Sequence, residues 1–547
     1  MAEPAGLFLA GPFGRWGRLG RGLAVGFLVL LVGLPLFELF SAGLEQSREA
    51  LARAGTGAAL RNTLWTGVVV AILALAAGTA AAMATERGRV PGRRWLRVGM
   101  LLPLLVPPFV SALSWTRAYG PGGLGDDLLG LAVPGLFGPA GVVAVIAVHA
   151  MPLAYLLVAS GLAAAAEPDL ERAARASGAT SLGALRSVTL PLLHPALLGA
   201  AALVFVATIN AFGIPAILGI PAGFVTVTTR IYQDLAFAAD PVSFARVVLL
   251  ASTLVLIALA VVGAADALVG LAAGATRTGA PTGPTAASRK AGWGASIGLW
   301  AYLTLGTGLP LLALVLASVT QAPGLPPVPP NWTLDNFSEA LSGRFGGAAA
   351  RSLFLSVTAA SLVVLLGGLL VSLGRKSFGR TLGTLALLTF AVPGSALAVA
   401  VLLAYGSRLR DTLLLILIAY LAKFWALGHR TISGSADALP PDLYRAARAS
   451  GAGPLVALRT VVIPQLRPAL AAAWVLVFLF AFHELTMSSL LYGPGTDTLA
   501  VVILNLQQLG DVTVTSALAV LLTVPVLAGA LLLLAARRPS TRVMGME

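Results

Sequence analysis

Four ionisable side chains of this sequence lie within long apolar runs, where a charge is costly. They are Glu38, Lys423, His483 and Glu484. A charge at the centre of a bilayer costs about 2.5–3.5 kcal/mol on insertion scales, so such a residue usually faces a cavity or a partner. The adjacent pair His483-Glu484 offers an imidazole and a carboxylate. These groups suit a metal ion, another cation or an amine in transit, but they are too few for tight metal capture.

The other two residues have simpler interpretations. Glu38 lies near the outer end of its apolar run and is expected to reach the membrane surface. Lys423 lies in the middle of a run, where a structural salt bridge or a snorkelling side chain competes with a role in transport.

No group of residues predicts catalysis. The sequence has no G-x-x-x-x-G-K-[ST] loop and no H-E-x-x-H helix. It has no cysteine, and its four histidines are too dispersed for a metal cluster. His194 and His429 are expected at the cytoplasmic membrane interface, and His149 has no assignment. We therefore expect no enzyme activity and no metal site, so nucleotide hydrolysis must come from another polypeptide.

The composition predicts a polytopic membrane protein. Of the 547 residues, 58% are hydrophobic and only 11% are charged, whereas soluble domains carry about 25% charged residues. The net charge of +14 comes from Lys and Arg that are scattered over short loops rather than gathered in a stripe. Such scattering follows the positive-inside rule and does not predict a nucleic-acid partner.

Twelve segments are apolar over the roughly 20 residues that a transmembrane helix needs. The basic residues just before the first run do not make it a signal peptide, because the run is too long for a cleaved one. The charge distribution places both termini in the cytoplasm. The predicted spans are 23–42, 62–84, 96–117, 141–163, 190–212, 245–271, 294–318, 352–373, 381–404, 412–433, 466–490 and 513–536.

A polar segment between two spans occurs twice. Residues 170–195 (LERAARASGATSLGALRSVTLPLLHP) match residues 443–468 (LYRAARASGAGPLVALRTVVIPQLRP) at an offset of 273. Val106-Pro107 and Val392-Pro393 match at an offset of 286, so the first half has 13 additional residues, which we place in 119–139. Such a repeat predicts two fused halves, 1–275 and 294–547, joined by a flexible linker at 276–293.

Each copy predicts a short helix, a turn and a second short helix. Asp169 or Asp442 is a candidate N-cap, and Gly178 or Gly451 supplies the backbone freedom needed at a helix C-terminus. Pro191 is expected to end the second helix before the next apolar run. With Arg outward and Ala and Leu inward, the element predicts a docking surface for another protein.

The pattern A-A-x-x-x-G-x9-[VI]-x-[LI]-P resembles the coupling loop of ABC-type importer permeases, which binds in a groove of the cytoplasmic ATPase. The coupling loops are then 167–190 and 440–463. The sequence departs from the family at Arg172 and Arg445, where Glu is usual, so the partner groove is expected to carry acidic residues. The resemblance implies an ATPase-coupling role for Arg172, Ala173, Ala174, Gly178, Leu190, Pro191, Arg445, Ala446, Ala447, Gly451, Ile463 and Pro464.

The segments NAFGIPAILG (210–219) and HELTMSSLLYGPGTDTL (483–499) resemble those of the subfamily that imports ferric iron, with relatives for phosphonates, thiamine, polyamines and small oxyanions. In that family the fifth span of each half lines the translocation path. The resemblance implies pathway roles for Asn210, Phe212, His483 and Glu484, with interhelical hydrogen bonding as the competing interpretation.

Together these features predict an all-α polytopic membrane protein of twelve transmembrane helices, arranged as two tandem six-helix permease repeats. The resemblance implies the membrane subunit of an importer in the bacterial inner membrane. Its expected partners are a homodimeric ABC ATPase, which holds ATP and Mg, and an external solute-binding protein; no cofactor is expected on this chain. Ferric iron is the first expected substrate, with 2-aminoethylphosphonate, thiamine, polyamine or an oxyanion as alternatives. A twelve-span secondary transporter is the competing class, but it needs no coupling loops.

Overall fold

The computed structural model describes residues 14–45, 55–88, 90–130, 132–164, 168–237, 241–273, 292–373 and 376–536. The predicted linker 276–293 lies outside them except for its last two residues. Regular structure in these ranges is helical, and the one β-bridge among them joins Thr320 to Trp332. This agrees with the predicted all-α class.

Ten helices of the described chain are long and apolar enough to cross a membrane, and two further pairs qualify jointly but are bent by 101°. If each bent pair is one span, the number is the predicted twelve. We number the spans in chain order and call spans one to six the first half and spans seven to twelve the second half. They are Leu19–Leu44, Thr56–Arg87, Arg93–Leu105 with Pro108–Asp127, Pro139–Ala163, Leu185–Ile209, Pro241–Gly270, Trp293–Val319, Phe345–Ser372, Thr381–Ala391 with Gly394–Leu409, Leu413–Asp437, Leu458–Phe482 and Thr513–Leu531.

The third and ninth spans are broken at proline, although the sequence predicts continuous spans there. Pro107 and Pro393 have extended backbones, with ψ of 137° and 139°. Proline lacks the N–H that a helix interior needs and disfavours the α region for the residue before it. The sequence motif shared by both halves, Val-Pro, therefore marks a sharp bend in each.

The predicted end of a helix at Pro191 is wrong. The chain is helical from Ser181 to Ile209, because a π-helical turn at Leu185–Thr189 leads directly into the fifth span. Proline is tolerated at the first positions after the wide turn, where its missing N–H breaks no regular α-helical bond. The same π turn at Leu458–Val462 opens the eleventh span, so this span starts and ends eight residues before the predicted 466–490.

The repeat is visible in the packing. The second, fourth and fifth spans pack on one another in the first half, and the eighth, tenth and eleventh do so in the second. Glycines permit the closest approaches: a Cβ at Gly78 would lie 2.8 Å from the backbone nitrogen of Tyr155, and one at Gly367 would lie 3.2 Å from that of His429. Small residues serve this purpose in membranes, where helices associate by close packing.

The first span of each half also packs on a span of the other half. The first span packs on the ninth, and the seventh packs on the third. The Tyr119 hydroxyl donates to the Leu305 carbonyl at 2.6 Å, and the Tyr405 hydroxyl donates to the Leu30 carbonyl at 2.5 Å. Both carbonyls belong to π turns, Thr304–Gly308 and Val29–Gly33. The tyrosines match at the offset of 286, so this packing between the halves follows the repeat.

The halves differ where the additional residues were predicted. Between Tyr119 and the fourth span the first half contains a short helix, Leu124–Leu129. In the second half the chain turns directly from Leu409 into the tenth span at Leu413. Part of the stretch 119–139 therefore forms a short additional helix, Leu124–Leu129, at the end of the third span.

We predict that Gly428→Ala lowers the thermal unfolding midpoint of the purified protein. A Cβ at this position would lie 2.4 Å from Cγ1 of Val363, a stiff β-branched side chain on the eighth span. Such overpacking typically costs about 1–3 kcal/mol. Gly434→Ala is the matched control on the same helix, because its Cβ would meet no atom within 4 Å. Equal midpoints for the two variants would contradict the close contact.

Candidate functional site

The two short coupling helices are Pro168–Ala176 and Pro441–Ala449. The prediction that Asp442 is the N-cap is wrong: the helix begins at Pro441, and Asp442 lies inside its first turn. There a carboxylate still interacts favourably with the positive end of the helix dipole. Asp169 is likewise the second residue of its helix, and its side chain lies outside the described residues.

Gly178 and Gly451 end the coupling helices, as predicted. Their φ angles are +91° and +84°, a region that L side chains rarely adopt. The Gly178 N–H donates to the Arg175 carbonyl and the Ala179 N–H donates to the Ala174 carbonyl, both at 3.0 Å. The second copy has the same two bonds at Gly451 and Ala452. This pair of bonds is the Schellman motif, and it fixes the same turn in both halves.

The predicted coupling residues fall into two sets. Ala173, Ala446 and Gly178 lie on the coupling helices or their turns and are exposed, while Ala174 and Ala447 are half-buried. Leu190-Pro191 and Ile463-Pro464 instead begin the long helices that follow the π turns. Arg445 is half-exposed and interacts with Asp442 at 3.4 Å. The side chain of Arg172 lies outside the described residues.

The first coupling helix is held by an ion network that the sequence analysis missed. Arg87, at the end of the second span, binds the Glu171 carboxylate, and the Thr189 hydroxyl donates to the same carboxylate. Next to it, Glu86 binds Arg97 and accepts a longer contact from Arg93 at 3.8 Å. In the second copy Tyr444 occupies the position of Glu171. The sequence signal for this network was that Glu171 has no acidic counterpart in the second copy.

His483 and Glu484 lie where the eleventh span ends at Phe482. The Glu484 carboxylate accepts hydrogen bonds from the backbone N–H of Met487 at 2.8 Å and of Ser488 at 3.0 Å. The Ser488 hydroxyl also lies 3.0 Å from it. Glu484 thus binds the first N–H groups of a short helix, Ser488–Leu491, and so satisfies donors that have no partner within the helix.

Two side chains of the tenth span complete this region. The Tyr420 hydroxyl lies 2.7 Å from the Ser488 hydroxyl. Lys423 donates to the carbonyls of Phe390 at 3.1 Å and Val392 at 2.5 Å, at the break of the ninth span. Neither a salt bridge nor snorkelling describes Lys423: its ammonium group instead binds carbonyls that a helix end leaves unpaired.

This polar network belongs to the second half alone. At the offset of 273, the first-half counterparts of Tyr420, Lys423, Glu484 and Ser488 are apolar: Ala147, Ala150, Ala211 and Pro215. The first half follows the fifth span with a π turn at Pro215–Gly219 instead of a capped helix. The two pseudo-equivalent breaks therefore differ in charge and in local conformation.

Several polar atoms near the ends of these spans are buried without a hydrogen-bond partner among the described residues. They are Nδ1 of His483, Nδ1 of His149 and Oδ1 of Asn210. His149, which the sequence left unassigned, lies within electrostatic range of His483 although the two belong to different halves. Phe212 is buried and packs on Tyr232, with ring centroids 5.2 Å apart. We refer to His149, Asn210, His483 and Glu484 together as the centre.

The remaining candidate residues of the sequence analysis, Glu38, His194 and His429, lie elsewhere in the structure. Glu38 is half-buried in the first span, and His194 is exposed at the coupling-helix end of the fifth. His429 is only 4% exposed and packs against Trp425. Within the described ranges no three His, Asp or Glu residues are grouped to hold a metal ion.

Comparison with known proteins agrees with this architecture. A family model described as "Binding-protein-dependent transport system inner membrane component" matches residues 4–271 and 364–542. The chain is 26% identical to a Fe(3+)-transport system permease protein of Haemophilus influenzae over 87% of this chain and 91% of that protein. It is 26% identical to a probable ABC transporter permease of Sinorhizobium fredii, covering 86% and 85%.

A third relative matches a smaller part of the chain. It is a putative 2-aminoethylphosphonate transport system permease protein of Salmonella typhimurium, 28% identical over 39% of this chain and 83% of that protein. The family model covers more than half of the sequence in two repeats, and the apolar helices explain its attachment to the membrane. The chain therefore belongs to the family of binding-protein-dependent inner membrane components, the permeases of ABC importers.

Proposed function

We propose that this chain carries ferric iron from an external binding protein to the cytoplasm, driven by a separate dimeric ATPase docked on its coupling helices. The observation that carries the substrate is the likeness to a ferric permease over almost the whole chain, both halves included. A second ferric transport permease, from Actinobacillus pleuropneumoniae, matches 86% of the chain. The phosphonate permeases match only 39% of the chain, so we keep phosphonate as the second candidate.

The coupling helices support docking on two similar ATPase grooves. Both contain the sequence R-A-A-R-A-S-G-A, and both end in the same Schellman turn. Two equal sites of this kind fit two copies of one ATPase subunit, with ATP and Mg held there. The partner groove would carry acidic residues that face Arg172 and Arg445.

Continuous helices provide a physical route from these sites to the path. The chain is helical without a break from Ser181 to Ile209 and from Pro454 to Phe482. A displacement of either coupling helix therefore acts on a rigid rod whose far end carries Asn210 or His483. Both halves have the same continuous helix, but it leads to Asn210 in the first half and to His483 in the second. This geometry supports pathway roles for Asn210, Phe212, His483 and Glu484.

The centre suits a cation that passes without being trapped. His483 and His149 offer imidazole nitrogens with no partner in the described chain, and Glu484 supplies a carboxylate. Tight capture of a metal needs more ligands in a fixed geometry. Selectivity would then reside mainly in the external binding protein.

Uptake by the reconstituted complex tests the substrate. We expect ATP-dependent accumulation of radioactive iron in liposomes that contain this chain, its ATPase and an iron-loaded binding protein. An excess of 2-aminoethylphosphonate should leave the uptake unchanged. ATP-dependent uptake of the phosphonate without uptake of iron would overturn the assignment and favour the second candidate.

We predict that Gly178→Ala and Gly451→Ala uncouple ATP hydrolysis from uptake. At φ of +91° and +84° a side chain strains the turn by about 1–2 kcal/mol, although its Cβ would meet no atom within 4 Å. The measured quantity is iron taken up per ATP hydrolysed. Gly453→Ala is the control in the same loop, since it has neither the unusual φ nor a close neighbour. Unchanged coupling in both variants would remove these turns from the mechanism.

We predict that Glu484→Gln slows uptake several-fold while ATPase binding is retained. Glutamine keeps an oxygen for the Met487 N–H but loses the negative charge that favours a cation. Ser488→Ala is the control, because it removes a hydroxyl bonded to Glu484 and leaves the charge in place. If Ser488→Ala slows uptake as much as Glu484→Gln, the carboxylate is a structural hydrogen-bonding group. The double variant His483→Ala, Glu484→Gln should be slower still.

A further inference from the structure

An apolar groove lies on the outside of the molecule, and none of the proposed coupling or pathway residues lines it. It separates the turn before the Arg93–Gly99 helix from the start of the seventh span and has a volume of about 570 Å³. This volume is in the range of small-molecule sites. The lining residues are Pro91, Gly92, Trp293, Ser296, Ile297, Trp300, Ala301, Thr304 and Leu305.

The two walls are fixed to each other, so the groove is a permanent feature. The Ser296 hydroxyl donates to the Pro91 carbonyl at 2.9 Å. Gly92 has a φ of +74°, and a Cβ there would lie 3.3 Å from Nε1 of Trp300. Further along, a Cβ at Gly99 would lie 2.7 Å from Cδ1 of Leu303. One wall belongs to the first half and the other to the second.

The groove has the length of one membrane leaflet. From Trp293 to Leu305 the helix rises about 18 Å, while half of the hydrocarbon core is about 15 Å. Large apolar side chains along it are exposed, with Ile297 at 66%, Trp293 at 64% and Leu305 at 55%. Tryptophan is enriched where the hydrocarbon meets the headgroups. These residues predict contact with an acyl chain.

One end of the groove is basic. Arg93 and Arg97 share Glu86, whereas Arg94 is exposed and has no ion pair among the described residues. The same end of the molecule carries the coupling helices, because Arg87 binds Glu171. Basic pockets between spans on this side favour anionic lipid headgroups.

We propose that the groove binds one anionic phospholipid, with an acyl chain along the seventh span and the phosphate at the basic end. The segment of this chain adjoining the groove, residues 276–291, is a poor alternative occupant because it contains no large apolar side chain. The bound lipid bridges the two halves where the seventh span packs on the third. It therefore stabilises this packing between the halves.

Native mass spectrometry of the purified complex tests the proposal. After reconstitution in nanodiscs of phosphatidylcholine with phosphatidylglycerol and release into mild detergent, the wild type should retain one phosphatidylglycerol per chain. Ala301→Trp should lose it, because the indole fills the groove. Arg94→Gln should keep a lipid but reduce the preference for phosphatidylglycerol over phosphatidylcholine about fivefold.

The control is Leu365→Trp on the eighth span, which also adds an indole at a lipid-facing position, 69% exposed, and should retain the lipid. Size-exclusion profiles verify that each variant is folded. If Ala301→Trp retains phosphatidylglycerol as the wild type does, or if phosphatidylcholine is retained equally well by the wild type, only unspecific boundary lipid is present and the proposal is wrong. None of these outcomes depends on the transported substrate.

Discussion

Inside a bilayer no water is available to pair the backbone groups that a helix leaves free, and much of this structure depends on how that pairing is achieved. Several of the backbone groups left free at breaks and π turns are paired by side chains. Lys423 binds carbonyls at the break of the ninth span, and Glu484 binds the first N–H groups of the helix after the eleventh. Tyr119 and Tyr405 bind carbonyls in the π turns of the seventh and first spans.

The same constraint links distant parts of one half. The Thr63 hydroxyl accepts from the Val227 N–H at 2.8 Å, and the Ser352 hydroxyl accepts from the Leu499 N–H at 2.8 Å. In both cases a hydroxyl on the second span of a half accepts from the first N–H group of a helix. That helix is the one that precedes the sixth span of the same half. Non-helical backbone is thus tolerated at membrane depth because protein surrounds it.

Fusion of the two halves permits chemical differences that a homodimer excludes. The helical connections of the two halves are alike: in each, a coupling helix is followed by a π turn that continues as a membrane span. Their far ends differ, since Tyr420, Lys423 and Glu484 have alanine counterparts in the first half. The first coupling helix is also anchored by Glu171, which the second lacks. The fifth and eleventh spans therefore end in chemically different surroundings.

The membrane class, the twelve apolar segments, the repeat and the turns at Gly178 and Gly451 could be predicted from the sequence alone. These properties follow from local composition and from backbone preferences that act over a few residues. Other features appeared only in the tertiary structure. They are the bends at Pro107 and Pro393, the continuity of the helices through Pro191 and Pro464, and the packing of each first span on the other half. Only the structure shows that Lys423 binds backbone carbonyls. Each of these depends on which groups the fold brings together to pair exposed backbone, and residues far apart in sequence supply those groups.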